Sequence, residues 1–234
     1  MTNQKIDTCV LISAGAEWRA FLPHFPEAAI FPTPYGDGFT TTISSQSVAL
    51  LHGGWGKVAA AASTQYAIDR WQPSRVINMG TCGGISGYAK RGEVILATKT
   101  LIYDIIEGMS DPTEAIDHYT VDLDSSWLAD PPPQPITIRT LISADRDILP
   151  SQVPELVGRF NATVADWESG AIAWVATRNQ VPCLILRAVS DLVDETAGEA
   201  YQDDSFFASQ CEPIMADFAR HLPAWVEAFR YSEW

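Results

Sequence analysis

Basic residues are scarce in this 234-residue chain: 15 Lys and Arg stand against 29 Asp and Glu, a formal net charge of -14. A chain so acidic repels the phosphate backbone of nucleic acids and the surface of anionic membranes, so neither is expected as a partner. Cysteine is sparse as well. Cys9, Cys82, Cys183 and Cys211 are scattered without a CxxC pair, and three fall in strand-like or small-residue runs, which predicts buried thiols and not disulfides or zinc ligands. The four histidines are equally dispersed, and no metal is expected. No apolar run reaches membrane-spanning length, and the opening MTNQKIDTCVLISAG has no basic region leading into a long apolar core. A cytoplasmic protein is expected, in which the sequon at Asn161 to Thr163 carries no meaning. No repeat, linker or second domain boundary is visible, so residues 1–234 read as one domain.

What the chain does have is apolar residues, 47% against 19% charged, enough for a well-filled core. They come as short strand-like runs separated by helical patterns. Thr8 to Ser13 is a strand, and Ala14-Gly15-Ala16 turns into a helix near Glu17 and Trp18. Residues 31–45 read as a loop and weak hairpin. Ser47 to His52 is a second strand, leading through Gly53-Gly54-Trp55-Gly56-Lys57 into an alanine-rich helix to about Arg70. Gly54-x-Gly56-x-x-Ala59 resembles a dinucleotide fingerprint, but the strand does not open the chain and no acid follows about twenty residues on, so no cofactor is expected. Ser74 to Met79 is a third strand, ending in a predicted turn, Gly80-Thr81-Cys82-Gly83-Gly84, where bare backbone N–H groups can approach a polar ligand. Glu93 to Lys99 makes a fourth strand, continued by Leu101 to Asp104. Residues 107–135 form a long, proline-rich irregular stretch of the kind that serves function or an interface. Ile136 to Ile142 is a fifth strand, and an amphipathic helix runs from about Phe206 to Trp234.

The stretch from Val164 to Glu195 organises the rest. It carries Asp166 and Glu168, then a helix with Ile172, Val175 and Ala176 on one face, then the buried strand Cys183 to Leu186, and after it Arg187 and Asp191. Acids thus precede a helix and follow a strand, where α/β sheets bind ligands. The same residues also read as an acidic helix start and a solvated loop.

Together these segments carry a resemblance. ALLHGGWGKVAAA, INMGTCGG, ADWESGAIA and LRAVSD, in that order, resemble motifs of the nucleoside phosphorylase and nucleosidase superfamily. The likeness is nearest to its 5'-methylthioadenosine/S-adenosylhomocysteine nucleosidases and spans about residues 8 to 195. It implies a three-layer α/β/α sandwich with a central twisted mixed sheet, usually dimeric, and a purine nucleoside as the small-molecule partner. By the same resemblance Asp191 is the general acid at purine N7, with Ser190 holding its carboxyl group. Glu168 accepts the ribose 2'- and 3'-hydroxyls, and Glu17 activates the attacking water, with Arg187 and Thr81 close by. Gly83 and Gly84 line the pocket wall, and Cys82, Ile148, Asp166, Trp55 and Trp167 fall at substrate-contacting positions.

Phosphorylases of the superfamily hold phosphate with an arginine in a GDPxR-like loop and another before the glycine turn. Here those places read Ser13 to Glu17 and Asn78-Met79. A carboxylate repels a phosphate dianion but suits a water, so hydrolysis is expected; Arg187 alone leaves phosphorolysis as an alternative. The chain also departs from the nucleosidases. The usual EME triplet is Asp166-Trp167-Glu168, the isoleucine of GIGK is Trp55, and the phenylalanine that stacks on the purine is Asp147. The segment for the 5'-substituent, often borrowed from the partner subunit, falls near Tyr103 to Met109 and matches poorly. Hydrolysis of 5'-methylthioadenosine or S-adenosylhomocysteine is the leading expectation. Inosine or futalosine as substrate, and a non-catalytic nucleoside-binding protein, stand as alternatives.

Overall fold

A computed structural model describes residues 5–109 and 111–229. Its elements, in order, are β1 (Thr8–Ile12), α1 (Gly15–Phe21), β2 (Phe31–Pro32), β3 (Asp37–Ile43), β4 (Gln46–His52), α2 (Gly56–Trp71), β5 (Arg75–Ile85), β6 (Val94–Ile102), α3 (Pro112–His118), β7 (Val121–Asp122), β8 (Thr137–Ser143), α4 (Val153–Phe160), β9 (Ala162–Asp166), α5 (Ser169–Arg178), β10 (Cys183–Val193) and α6 (Asp204–Glu227). Ten strands form one mixed sheet. β1 lies parallel between β4 and β5, β3 runs antiparallel to β4, and β10 is parallel to β5 but antiparallel to β6. Because β5 also pairs with β9, and β9 joins β6 through β8, the strands β5, β10, β6, β8 and β9 close on themselves at one end.

Alternation within β1 explains the layers. Cys9 and Leu11 face a core built with Ala60, Ala67 and Trp71 of α2 and Ile172 and Ala176 of α5. Val10 and Ile12 face the opposite core, with Trp18 and Phe21 of α1 and Phe218, Leu222 and Trp225 of α6. Successive side chains of a strand point to opposite faces, so a central strand covered by helices on both sides must be apolar throughout. The α/β/α layering and the mixed sheet match the expectation. A third core, under α4, gathers Ile85, Leu101, Ile142, Val153 and Leu156.

Several boundaries differ from the sequence reading. Gly80 to Gly84 is no turn: β5 continues through it, because Gly83 and Gly84 are paired with β9 on one side and β10 on the other. Likewise Arg187 to Asp191 lies within β10, not in a loop after it, with a register shift between Val189 and Asp191 that turns the acid off the regular pleat. β3 is a full strand where a weak hairpin was expected, held by continuous pairing with β4. Residues 107–135 contain the short helix α3 and the two-residue β7. α4 and β9 were not anticipated. α4 begins with proline in its first turn, where the missing N–H costs nothing, and β9 is five residues long and ends in an acid that masks its strand character. Beyond residue 229 the expected extension of α6 lies outside the described residues.

Candidate active site

A cavity of about 520 Å³ lies at the ends of β5, β9 and β10. Glu17 reaches it from the first turn of α1, Thr81, Cys82 and Gly83 from β5, Asp166 to Glu168 from the β9–α5 junction, and Ser190 and Asp191 from β10. Elements far apart in sequence converge here because the parallel strands β1, β5 and β10 deliver their C-terminal ends to one edge of the sheet, and β9, antiparallel to β5, is brought beside them by the pairing of Ala165 with Gly83.

Three carboxyl groups surround one guanidinium. Arg187, 1% exposed, donates from Nη2 to Asn78 Oδ1 at 2.6 Å and from Nε to Ser169 Oγ at 2.9 Å. Its Nη2 lies 2.9 Å from Asp166 Oδ2 and 3.9 Å from Glu168 Oε2, and its Nη1 lies 3.8 Å from Glu17 Oε1. Burial works against the Arg187 charge, but Asp166, Glu17 and Glu168 more than restore it and hold its pKa above the ordinary value. Arg187 does not line the cavity; its guanidinium lies behind the wall, so close under Gly80 that any side chain there would strike it. Asn78 is anchored by its own donation to Leu11 O at 2.9 Å.

Glu17 is 2% exposed and oriented at both oxygens. Oε1 accepts from the Thr81 N–H at 2.6 Å and the Thr81 hydroxyl at 2.8 Å, and Oε2 accepts from the Ala14 N–H at 3.1 Å. Asp166 is spent on structure: its oxygens accept from Ser143 Oγ at 2.6 Å, from Ser169 Oγ and from the backbone N–H groups that start α5. Glu168 accepts from the Gly56 N–H at 3.0 Å, and burial, reinforced by Asp166, raises its pKa far above the ordinary glutamate value. On the opposite side of the cavity Asp191 accepts from Ser190 Oγ at 2.6 Å. Its own burial raises its pKa, Glu199 and Asp147 add to the rise, and Ser190 opposes it. Gly83 faces this acid: a Cβ there would lie 3.8 Å from both Asp191 Oδ2 and Ile148 Cδ1, closing the gap between them. The Cys82 thiol in the wall is pushed up by burial and by Asp166, which leaves it no thiolate for nucleophilic attack.

Of the residues singled out from sequence, Glu17, Trp55, Thr81, Cys82, Gly83, Ile148, Asp166, Trp167, Glu168, Ser190 and Asp191 all line the cavity. Gly84 does not; a Cβ there would strike Val189, Ala89 and Leu192, away from the cavity. Trp55 and Trp167 stack on one another at the rim, and Asp147 lies in the wall near Asp191. Sequence reasoning missed the wall formed by Ala200, Tyr201, Gln202, Asp204 and Phe207. Tyr201 donates its hydroxyl to Ile148 O and so ties this segment to the β8 side. No local pattern announces it, since these residues precede or begin a helix that reads as ordinary packing. Among the described residues no group of three His, Cys, Asp or Glu side chains is placed to hold a metal ion, and no helix is long and apolar enough to cross a membrane.

Residues 8–136 and 140–222 match the model of the Phosphorylase superfamily. The chain belongs to this superfamily. Within the Phosphorylase superfamily it is 28% identical over 174 residues to the 5'-methylthioadenosine/S-adenosylhomocysteine nucleosidase of an Exiguobacterium strain, covering 69% of this chain and 74% of that protein. Against the nucleosidase of the same name from Bacillus thuringiensis it is 26% identical over 190 residues, 75% of this chain and 81% of the relative. The fold is that of the Helicobacter pylori 5'-methylthioadenosine/S-adenosylhomocysteine nucleosidase, with a TM-score of 0.79 at 20% identity over 96% of this chain and 99% of that one. A futalosine hydrolase mutant from Helicobacter pylori superposes with a TM-score of 0.78 at 19% identity, over 95% and 99% of the two chains.

Proposed function

We propose that this protein hydrolyses the N-glycosidic bond of a purine nucleoside, 5'-methylthioadenosine or S-adenosylhomocysteine, releasing adenine and the 5-substituted ribose. The observation that carries the reading is the charge arrangement: Glu17, Asp166 and Glu168 converge on Arg187, and among the described residues lining the cavity Arg146 is the one cation. A phosphate dianion entering beside Glu17 would face three carboxyl groups that already share the one buried guanidinium, whereas a water there meets an acceptor already oriented by Thr81 and Ala14. The names of the relatives agree with hydrolysis.

In this reading Asp191 protonates N7 of the leaving purine. Its raised pKa keeps a proton available, and Ser190 fixes the carboxyl group. Glu168 receives the ribose diol on the lone pairs left free by Gly56. Glu17 takes the proton of the attacking water, with the Thr81 hydroxyl beside it, and Arg187 acts from behind the wall as the counter-charge that keeps these carboxyl groups together. Positive charge developing on the sugar is stabilised by the surrounding carboxylates. Cys82, Gly83 and Ile148 shape the base side, and Trp55 and Trp167 the sugar rim.

The protein works as a homodimer in the cytoplasm. The four free, buried cysteines suit a reducing compartment. Val58, Ile106 and Met109 are large, apolar and exposed, and the Lys57–Asp104 ion pair joins their two segments. Such a patch suits a partner subunit.

A substrate panel tests the assignment: each nucleoside is incubated with and without phosphate and free base is measured. Adenine release from 5'-methylthioadenosine or S-adenosylhomocysteine in phosphate-free buffer is expected; a strict need for phosphate overturns hydrolysis. Inosine and futalosine belong in the panel because Arg146 could donate to a 6-oxo group while Asp147 accepts from a 6-amino group.

A further inference from the structure

The helix α2 has no cap of its own. Its N-cap residue is Trp55, whose side chain makes no hydrogen bond to the first turn. Two carboxylates from other elements take that place: Glu168 accepts the Gly56 N–H at 3.0 Å, and Asp145, just after β8, accepts the Lys57 N–H at 2.8 Å. Asp145 is itself held. Its own N–H donates to Asp104 Oδ2 at 3.0 Å, its Oδ2 lies 3.7 Å from Lys57 Nζ, and Lys57 Nζ is paired with Asp104. Gly56 has φ +84, and a Cβ on it would lie 3.0 Å from Asp145 Oδ1, so glycine is needed both for the turn and for the approach of Asp145.

These contacts run as a chain from Asp104 and the Lys57 side chain through Asp145 to the Lys57 N–H, the neighbour of the Gly56 N–H that donates to Glu168, the residue assigned to the ribose diol. We infer that Asp145 is a positioning residue for Glu168: by holding the first turn of α2 it aims the Gly56 N–H at Glu168 Oε1 and sets which lone pairs the sugar meets. Lys57 and Asp104 support it by fixing the Asp145 side chain. The inference rests on the diol-binding role of Glu168 for its consequence in catalysis, but the structural link can be tested without it.

Two measurements separate the two. The first is the Gly56 amide resonance in the isotopically labelled protein, followed against pH. In the wild type it is expected to shift as Glu168 titrates, and in Asp145→Ala that dependence is lost; an unchanged Gly56 titration in Asp145→Ala overturns the inference whatever the substrate. The second compares the cleaved ribonucleoside with its 2'-deoxy analogue. Loss of one helix-cap contact predicts about a fivefold rise in KM for the ribonucleoside in Asp145→Ala. The deoxy analogue, which engages Glu168 less, should change little, and Asp145→Asn, which still accepts the Lys57 N–H, should recover most of the loss. Lys57→Met gives a second variant with a smaller effect in the same direction. Equal losses on both substrates would reduce Asp145 to a general structural role. A wild type that cleaves no purine nucleoside refutes the proposed activity, while the Gly56 resonance still decides the positioning role.

Discussion

Trp55 and Trp167 stack with ring centroids 4.9 Å apart and planes inclined by 25°, although Trp55 is 68% exposed. A large exposed aromatic held by another aromatic at a cavity rim is placed to contact a ligand more than to support the core. Trp55→Ala should therefore leave the melting temperature almost unchanged while raising KM. Loss of one ring contact with the nucleoside corresponds to about 1 kcal/mol, or roughly fivefold in KM. Steady-state kinetics with methyl and bulkier 5'-groups checks this; an unchanged KM for every substrate would mean that the pair does not face the nucleoside.

Asp191 and Glu17 carry the proton transfers in the proposed reaction. Asp191→Asn keeps the shape of the site but cannot give up a proton, so kcat should fall by about 10²–10⁴ with KM nearly unchanged. In the wild type kcat should decline as pH rises through the Asp191 pKa, which burial places above the ordinary aspartate range. An Asn variant with undiminished turnover assigns the acid elsewhere.

Stability offers a second view of the same acid. Since burial raises the folded-state pKa of Asp191 above its unfolded value, the folded state binds the proton more tightly. Its contribution to stability is present below the unfolded-state pKa and is lost as pH rises through the folded-state pKa. Asp191→Asn has no carboxylate to bury charged. Its melting temperature relative to wild type should therefore rise from acidic to neutral pH. Paired thermal melts across that range measure it, and a difference independent of pH would refute the burial argument.

Arg187 is the counter-charge for three buried carboxyl groups. Arg187→Met removes it and strands them. Breaking a buried ion pair at one partner costs about 3–5 kcal/mol, enough to lower the denaturant midpoint sharply. Arg187→Lys keeps the charge but cannot reach Asn78, Ser169 and Asp166 at once, and should lie between the two. A stable Arg187→Met protein would contradict the central role given to this residue.

Much of this site can be read in the sequence because its pieces are local. The apolar runs at Thr8 to Ile12 and Cys183 to Leu186 mark buried central strands. The glycine-rich segments after Ser47 to His52 and after Ser74 to Met79 mark places where backbone comes close to ligand, and acids in the motifs mark the chemistry. The hidden parts depend on partners. Gly80 to Gly84 reads as a turn until β9 and β10 pair with it, and Asp191 reads as a loop residue until β10 is followed past its apolar run. Asp166 and Glu168 look equivalent on paper. In space one is consumed by Ser143, Ser169 and Arg187, and the other turns its carboxylate toward Gly56 and the cavity.

The sequence by itself determined the alternation of strands and helices, the apolar runs of the central strands and the inventory of acids, because these follow from residue type and short spacing; the layered sandwich it offered only through family resemblance. Only the tertiary structure decided which acid faces the ligand, that Arg187 stands behind the wall, that residues 200–207 complete the cavity, and that Asp145 caps the helix touching Glu168. Each of those depends on which distant segments the closed strands bring within a hydrogen bond of one another, and no local pattern encodes that.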